Sequence, residues 1–597
     1  MTIRSFAEYL AALEQISSRN DITAKLADLF SHTTPQEARI ATYLSLGRLA
    51  PKFENVEFQL AEKMMVRVVA LSSGHDEQSV QSLFKETGDL GTTARKLMEH
   101  VHSPACQKDP SLMLVYETLL SIAREQGAGS VERKVRQFAN LLGTLDPLAV
   151  KYIVRIPMGA LRLGFSDMTV LDALSWMKNG DKSLRVQIEH AYNVSADIGY
   201  IAEIFTTSGM DGIRHFAATA GIPIRPQQSE RLGSSEEIIT KLGTAIVEYK
   251  LDGFRAQIHI VPRHHPSNAR KPDTEQLMLE QKPDDHRVQV FSRSLENTTH
   301  MFPEIVSEIQ KLSVDSIILD GEAIGYNPKT GAHLPFQETI QRKRKHGIED
   351  LAKKIPLRYY AFDLLLLNGM SLLDKPFHER RTQLEHIFSE NKHINAHTLT
   401  IAEQFPITTP EQLTNIFNDS VTKGFEGIMA KKPDAPYQAG ARNFTWVKFK
   451  HVGEGKLADT LDCVVMGYYK GQGKRSGFGI GAFLVGVRSD RHDDQFLTVA
   501  KIGTGLSDEQ WVHMRQLCEK NAVKNKPDVF DVPKELVPDA WANPSIVVEI
   551  AADEITKTPL HTAGLALRFP RLVTFRPDKS PREATTIHEV KRLFKMQ

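Results

Sequence analysis

Cysteine and long apolar runs are scarce in this chain of 597 residues. The three cysteines, Cys106, Cys463 and Cys518, lie far apart, which excludes a CxxC pair, a four-cysteine zinc site and a disulfide framework. No apolar run approaches the roughly 18–20 residues that a membrane span needs, and residues 1–9 contain no apolar signal core. We therefore expect a protein of the reducing cytoplasm with no membrane partner.

An excess of charge of one sign is also missing. The chain has 74 Lys and Arg residues against 73 Asp and Glu residues, which gives a formal net charge of +1. A strongly basic chain would have indicated a nucleic-acid partner, and this total does not. If the ligand is a polyanion, the positive charges must be gathered on particular faces of the protein.

Length and composition indicate several folded domains. Hydrophobic residues make up 41% of the chain and charged residues 25%, as in ordinary globular proteins. Because a single core rarely grows beyond roughly 250–300 residues, we expect two to four domains. Changes in residue pattern sharpen this to three predicted domains, at 1–220, 221–452 and 453–597.

The three segments differ in the spacing of their apolar residues. Spacings of three and four predict an all-α domain over 1–220, with helices near 37–49, 60–71 and 131–142. Residues 221–452 predict an α+β domain with strands near 245–250, 255–261, 288–291, 316–324, 357–366 and 446–450. The segment 262–287 is rich in Pro, His and Asp, which indicates an exposed, mobile loop.

Residues 453–597 return to a β pattern. Five short strands are predicted near 462–469, 482–488, 496–502, 545–555 and 572–576, together with a helix near 508–521. So many short strands over a small domain favour a β-barrel of the oligonucleotide-binding (OB) fold, with a sandwich as the second choice.

Lys250 ends the strand predicted at 245–250 and is followed at once by Leu251, Asp252 and Gly253. A lysine at such a turn can direct its amine into a cleft, where desolvation or a nearby cation such as Arg255 would expose the lone pair of a nucleophile. The alternative is a surface lysine beside a hairpin turn.

Other polar residues share strand faces in the same way. Asp320 and Glu322 lie two residues apart after an apolar strand, so they suit either a divalent metal or the outer face of an edge strand. Glu426 stands at a strand entrance, and Lys448 and Lys450 share a face on which they could clamp phosphates. A solvated charged face is again the alternative.

In this order, the segments resemble the ATP-dependent DNA ligases, a family of covalent nucleotidyltransferases. The family's first motif, KxDGxR, is present from Lys250 to Arg255. Further motifs are similar to the segments at 291–297, 319–323, 360–363, 426–429, 446–450 and 568–579. Residues 146–164 resemble the DNA-binding domain of archaeal and eukaryotic replicative ligases. The resemblance covers nearly the whole chain and implies a helical DNA-binding domain, an adenylation domain and an OB-fold domain.

The resemblance also implies a role for individual residues. Lys250 matches the lysine that attacks the α-phosphate of ATP, expels pyrophosphate and becomes lysyl-AMP. Matches to nucleotide-binding residues are Glu248 at the adenine edge, Arg255 and Arg293 at ribose and phosphate, Phe362 stacked on adenine, and Glu322 near the ribose. Lys448 and Lys450 match lysines that contact the phosphates, and Arg442 matches a further arginine that contacts the nucleotide. Arg576 and Lys579 match residues of the OB-fold domain that orient the departing pyrophosphate. Asp252, Glu322 and Glu426 match carboxylates that would help to hold Mg²⁺.

The implied function is to seal nicks in double-stranded DNA during replication, repair and recombination. AMP passes from the lysine to a DNA 5′-phosphate, and the adjacent 3′-hydroxyl displaces it. The resemblance implies a monomer of the prokaryotic, nucleoid-associated cytoplasm. Residues 341–345 and 470–475 are either contacts to the DNA backbone or solvated charge runs. No convincing clamp-binding peptide is present, so a sliding clamp stays an open partner.

Three other functions share part of this pattern. An RNA ligase or an mRNA-capping guanylyltransferase would use the same lysine motif, although the long helical N-terminal region argues against capping. An NAD-dependent ligase is disfavoured because the chain has no four-cysteine zinc site. A DNA-binding clamp with a decayed site is disfavoured because every catalytic position holds the required residue type.

Overall fold

The computed structural model describes residues 1–99, 109–159, 161, 163–262, 288–342, 348–450, 460–471, 478–490 and 495–596. The chain forms two compact units, Met1–His451 and Val452–Gln597. The further division of the first unit near residue 220 stays a prediction. No helix among the described residues is long and apolar enough to cross a membrane.

The first part of the first unit is helical. Its helices α1–α12 are Ile3–Gln15, Arg19–Ser31, Pro35–Ser45, Glu62–Ser73, Glu77–Thr87, Leu90–Met98, Leu112–Arg124, Ser130–Leu142, Pro147–Arg155, Asp167–Asn179, Arg185–Ser195 and Ile198–Ile213. They pack around one apolar core in which Leu13, Phe30 and Phe138 are fully buried.

Capping residues set the helix bounds that apolar spacing left approximate. The helix predicted at 37–49 begins at Pro35 and ends at Ser45. Thr34 accepts a hydrogen bond from the Glu37 amide at 3.3 Å, and Glu37 accepts one from the Thr34 amide at 2.9 Å, which forms a capping box.

The second part of the first unit mixes helices and strands. Its strands β1–β11 are Gln228–Arg231, Ala245–Tyr249, Phe254–Ile260, Val288–Ser292, Ile317–Gly325, Leu357–Leu367, Met370–Ser371, Leu399–Ile401, Phe405–Ile407, Gly427–Lys431 and Arg442–Lys450. Its helices α13–α18 are Ser235–Leu242, Pro303–Ile309, Phe336–Thr339, Ile348–Lys354, Phe377–Glu390 and Pro410–Thr422.

These strands form two mostly antiparallel sheets. One has the order β1-β11-β10-β2-β9, and the other has the order β4-β3-β5-β6-β7 with β8 paired to β6. Strand β5 lies between β3 and β6, so the interpretation of Asp320 and Glu322 as residues of an edge strand is wrong.

The second unit is rich in strands. Strands β12–β21 are Leu461–Tyr469, Ala482–Arg488, Phe496–Ile502, Ala522–Val523, Phe530–Asp531, Ala540–Ala542, Val547–Ala551, Glu554–Lys557, Leu565–Arg568 and Arg571–Phe575. Helices α19 and α20 are Asp508–Lys520 and Ile587–Met596. The prediction of five strands is too low, because the segment 545–555 divides into β18 and the start of β19, and short pairing strands were missed.

Three sequence predictions reach beyond the described residues. The predicted loop 262–287 lies outside them from residue 263 onward. The same holds for residues 343–345 and 472–475, which make up most of the two candidate DNA-backbone segments.

Candidate active site

Three neighbouring strands direct their polar side chains to one face. In the register of β2, β10 and β11, Met429 pairs with both Glu248 and Lys448, and Gly427 pairs with Lys450. Side chains alternate along a strand, so Glu248, Lys448 and Lys450 emerge on the same side. The opposite face carries Val247 and other fully buried apolar residues of the core.

The amine of Lys250 lies at the end of β2, beside Glu426. The Lys250 amide donates a 2.8 Å hydrogen bond to the Gly427 carbonyl, which holds the residue at the end of β10. Its Nζ forms an ion pair with Glu426 Oε2, and Lys450 Nζ donates to Glu426 Oε1 at 3.0 Å. Burial opposes ionisation of Glu426, but the two lysines together hold the pKa of its carboxyl below the usual value. One carboxylate therefore bridges the predicted nucleophile and one of the lysines predicted to contact phosphate.

The turn after Lys250 fits closely against β5. A Cβ atom at Gly253 would lie 2.3 Å from the Ala323 carbonyl oxygen, so any larger residue would displace the strand. The Gly253 amide donates a 3.2 Å hydrogen bond to Glu322 Oε1. Glycine at this point lets the KxDG turn bring Lys250 and Glu322 to one site, with Asp252 exposed at the turn.

The carboxylates near Lys250 suit a metal ion that takes only some of its ligands from the protein. Burial raises the pKa of Glu322 to about 7, and the cations Lys250 and Arg255 oppose that rise. Among the described residues, no group of three or more His, Cys, Asp and Glu side chains is arranged to hold a metal ion. Mg²⁺ commonly combines one or two carboxylates with phosphate oxygens and water. Glu322 and Glu426 suit such a site better than an all-protein cage.

Arg255 is held by a buried carboxylate rather than standing free. Its Nε and Nη2 donate to the two oxygens of Asp320 at 3.1 and 2.7 Å, and its Nη1 donates to the Gln227 carbonyl at 2.7 Å. Tyr437 also donates to Asp320, at 2.8 Å. Asp320 is only 1% exposed and binds these groups, so it does not form the metal-binding pair with Glu322 that their spacing suggested.

Phe362 lies against two cations. The Arg255 guanidinium is 5.6 Å from its ring centroid, and Lys431 Nζ is 4.6 Å from it. Its side chain is half-buried, as a residue that offers one ring face to a ligand must be.

Glu248 pairs with a lysine that sequence reasoning missed. Lys431 Nζ lies 2.7 Å from Glu248 Oε2, and Gln404 donates to Oε1 at 2.8 Å. The ammonium of Lys431 is surrounded by the rings of Phe362, Phe377 and Trp446 at 4.5–4.6 Å. Burial lowers the pKa of Lys431, and Glu248 opposes that shift. The signal that could have found Lys431 is strand alternation, which puts it on the same face of β10 as Met429, the residue that pairs with Glu248.

The remaining predicted cations of the first unit lie near Lys448. Burial lowers the pKa of Lys448, and its neighbours Arg442, Lys450, Lys250 and Arg293 lower it further. Arg442 is exposed and donates to Gln228 Oε1 at 2.7 Å, while Arg293 lies on the turn after β4. Lys448 and these four neighbours form one cation cluster, which is the local concentration of positive charge that a polyanionic ligand would require in a chain of near-zero net charge.

Arg576 and Lys579 belong to the second unit. Both pair with Asp462, and Arg576 Nη1 lies 3.2 Å from its Oδ1. Arg576 also binds Asp578 at 2.7 Å and lowers the pKa of that carboxyl to about 2. In this structure the two cations are held within their own unit.

Three family models match most of the chain. Residues 2–175 match the DNA ligase N terminus, residues 226–450 match the ATP-dependent DNA ligase domain, and residues 476–579 match the ATP-dependent DNA ligase C-terminal region.

Curated relatives match over the full length. A probable DNA ligase of Dictyoglomus turgidum is 41% identical over 606 residues, covering 100% of this chain and 98% of the relative. A DNA ligase of Aeropyrum pernix is 37% identical and covers 100% and 98%. The solved structure named Pmar-Lig_PreS3 has a TM-score of 0.52 at 17% identity, covering 96% of this chain and 99% of that one. That likeness bears on the fold alone, and it agrees with the predicted class of a helical region, a nucleotidyltransferase domain and a strand-rich domain.

Proposed function

Because the chain belongs to the ATP-dependent DNA ligase family, whose enzymes seal nicks in DNA, we propose that Lys250 is the nucleophile that takes AMP from ATP. The observation that carries this proposal is that the amine of Lys250 pairs with Glu426, which also binds Lys450, and that Lys250 lies close enough to Lys448 to help lower the pKa of that lysine. Lys250 first loses a proton to solvent, which frees the lone pair of Nζ. The lone pair attacks the α-phosphorus and the bond to pyrophosphate breaks. A second proton leaves Nζ as the N–P bond forms, and the AMP stays on the lysine.

The surrounding side chains support the charge requirements of this step. Phosphorus in ATP is surrounded by anionic oxygens, so an attack on it needs fixed cations. Lys448, Lys450 and Arg442 supply them from one strand, β11. Glu426 holds Lys250 and Lys450 until phosphate oxygens replace its contacts with the two amines.

Mg²⁺ is part of the proposal. Glu322 and Glu426 would hold it together with phosphate oxygens, and the ion would neutralise charge that builds up on the departing pyrophosphate. Burial raises the pKa of Glu322 to about 7, and a bound Mg²⁺ would favour the ionised form of this carboxyl.

The other assigned residues complete the nucleotide site in the proposal. Phe362 stacks on adenine, and such a contact contributes roughly 1–3 kcal/mol. Glu248 lies at the adenine edge, and its carboxylate is oriented by Lys431 and Gln404. Arg576 and Lys579 act on the pyrophosphate from the second unit. In the later steps AMP passes to a DNA 5′-phosphate, in support of replication, repair and recombination, which all leave nicks to be sealed.

Labelling with nucleotides tests the nucleophile. We expect the wild-type protein with Mg²⁺ to take up label from α-labelled ATP, and not from GTP or NAD, in a bond that acid breaks and base does not. Lys250→Ala should lose the label, whereas Lys353→Ala, a change to an exposed lysine on α16, should keep it. Label on Lys250→Ala would overturn the assignment. Sealing of a nicked DNA duplex, compared with a nicked RNA duplex, then separates a DNA ligase from an RNA ligase.

A further inference from the structure

A loop of the helical region makes hydrogen bonds with the turn that carries Arg293. Asn55 Nδ2 donates to the Asn297 carbonyl at 2.6 Å, and the Asn297 amide donates to Asn55 Oδ1 at 3.2 Å. The two residues are 242 positions apart in the chain, so this reciprocal pair joins the helical region to the sheet that contains β4. We refer to it as the Asn55–Asn297 clasp.

An aromatic contact joins the same two segments close to the clasp. The rings of Phe53 and Phe291 meet edge to face at 6.4 Å, and with Ala196 they form a small buried cluster. Phe291 is 1% exposed and lies two residues before Arg293. The chain entering the Arg293 turn is therefore packed against the helical region as well as against its own sheet.

The turn itself is closed by short-range hydrogen bonds. The Ser292 amide donates to the Glu296 carbonyl at 2.9 Å, and the Leu295 amide donates to the Ser292 carbonyl at 2.8 Å. Leu295 has a φ of +69°, a backbone conformation that leucine rarely adopts. Contacts outside the turn must hold it in this strained form, and the clasp supplies two of them.

Arg293 depends on this turn for its position. Arg293 is exposed, and within the described part of the chain its guanidinium makes no hydrogen bond or ion pair with another side chain. The backbone of the turn therefore sets the position of its Cα and the direction in which the side chain leaves. It lines a cleft of about 170 Å³ together with Arg48 and Lys52 from the helical region. It also lies close enough to Lys448 to lower the pKa of that lysine, which places it at the edge of the cation cluster.

We propose that Asn55 and Phe53 are positioning residues for Arg293, so that the helical region sets the geometry of the nucleotide site in addition to its DNA-binding role. This inference rests on the proposed function and on the family resemblance, which implies that Arg293 contacts ribose or phosphate. It predicts that a change at Asn55 or Phe53 alters catalysis only through Arg293.

A double-mutant cycle tests the coupling. Asn55 has a φ of +51°, which glycine adopts without strain, so Asn55→Gly removes the side-chain hydrogen bonds and little else. We expect Asn55→Gly to lower kcat/KM for ATP in nick sealing by about five- to tenfold, since small errors in placement weaken contacts to the reacting phosphates. In an Arg293→Ala background the same change should cost less than about twofold, because coupled residues are not additive.

A matched control separates positioning from stability. Asn368 has a φ of +46° and accepts two backbone hydrogen bonds through its side chain, far along the chain from the Arg293 turn. Asn368→Gly should change sealing equally in both backgrounds. Phe53→Leu keeps an apolar side chain but loses the edge contact, and we expect a smaller coupled loss from it.

The outcomes are distinct. Equal losses from Asn55→Gly in both backgrounds, or no loss at all, would overturn the positioning role. If Arg293→Ala seals nicks like the wild type, the inference also fails, while the proposed function stands. If the wild-type protein takes up no AMP, the proposed function itself fails.

Discussion

The ion pairs Asp363–Arg380 and Glu426–Lys250 of the first unit each join a carboxylate to a cationic side chain, but the side chains of the two pairs differ in exposure to solvent. Both side chains of the first pair are 0% exposed, and Arg380 also donates to the Lys375 carbonyl at 2.6 Å. In the second pair, Lys250 is 21% and Glu426 31% exposed. The buried pair has two matched hydrogen bonds and no access to a ligand, so it serves the fold.

The partly exposed pair can exchange partners. Its groups keep part of their hydration, so they lose less when the contact breaks. When Lys250 leaves Glu426 to bind a phosphate, the Glu426 carboxylate is not left as an unpaired charge in an apolar core. We infer that the cation cluster is arranged for exchange, whereas the pair Asp320–Arg255, between β5 and β3, and the pair Asp363–Arg380, between β6 and α17, stabilise the fold.

Breaking the buried pair should have the largest effect on stability. We expect Asp363→Ala to lower the free energy of unfolding by about 3–5 kcal/mol, because Arg380 is left as a buried charge without its partner. Urea denaturation measures the loss. The control is Glu379→Gln, which removes the exposed pair with Lys375 and should change stability by about 0.5 kcal/mol or less. Similar losses of unfolding free energy in both variants would contradict the distinction between buried pairs that stabilise the fold and exposed pairs that do not.

The pH dependence of stability should reveal the unusual environment of Glu322. The folded protein keeps the proton on this carboxyl up to about pH 7, whereas an unfolded chain releases it near the ordinary pKa of 4.5. Between those values the folded state binds more protons, so the free energy of unfolding falls as pH rises. The stabilising contribution is fully present below pH 4.5 and lost above pH 7.

Comparison with Glu322→Gln isolates this effect. The difference in unfolding free energy between the wild type and the variant should change across this pH range, by about 3 kcal/mol at most. Urea titrations at several pH values would show it. Parallel stability curves for the two proteins would contradict the raised pKa.

Glu426→Gln should have the smallest effect on stability and a clear effect on chemistry. The amide keeps the shape of the side chain but no longer pairs ionically with Lys250 and Lys450, so we expect unfolding free energy to change by less than about 1 kcal/mol. AMP transfer to Lys250 should fall about tenfold or more if Glu426 helps to hold Mg²⁺. A loss of stability equal to that of Asp363→Ala would place Glu426 among the structural groups instead.

Much of the site could be predicted from local pattern. Strand alternation correctly put Lys448 and Lys450 together on one face of their strand. Motif order identified the family, and the strands at 482–488 and 496–502 have the bounds that were predicted. These features depend on neighbours within a few residues, where periodicity is informative.

Partners that are distant in the chain could not be predicted in this way. Lys431 binds Glu248 from another strand, and Asp320 binds Arg255 instead of a metal. Asn55 meets Asn297 only because a loop of the helical region reaches the turn after β4.

By itself, the sequence determined which residue types stand at each motif and which face of a strand they occupy, because backbone geometry alternates side chains with a period of two. The tertiary structure alone decided which carboxylate meets which cation. That choice depends on which strands become neighbours and on how much water each pair keeps, and so it also decided which ion pairs support the fold and which remain free to exchange for a ligand.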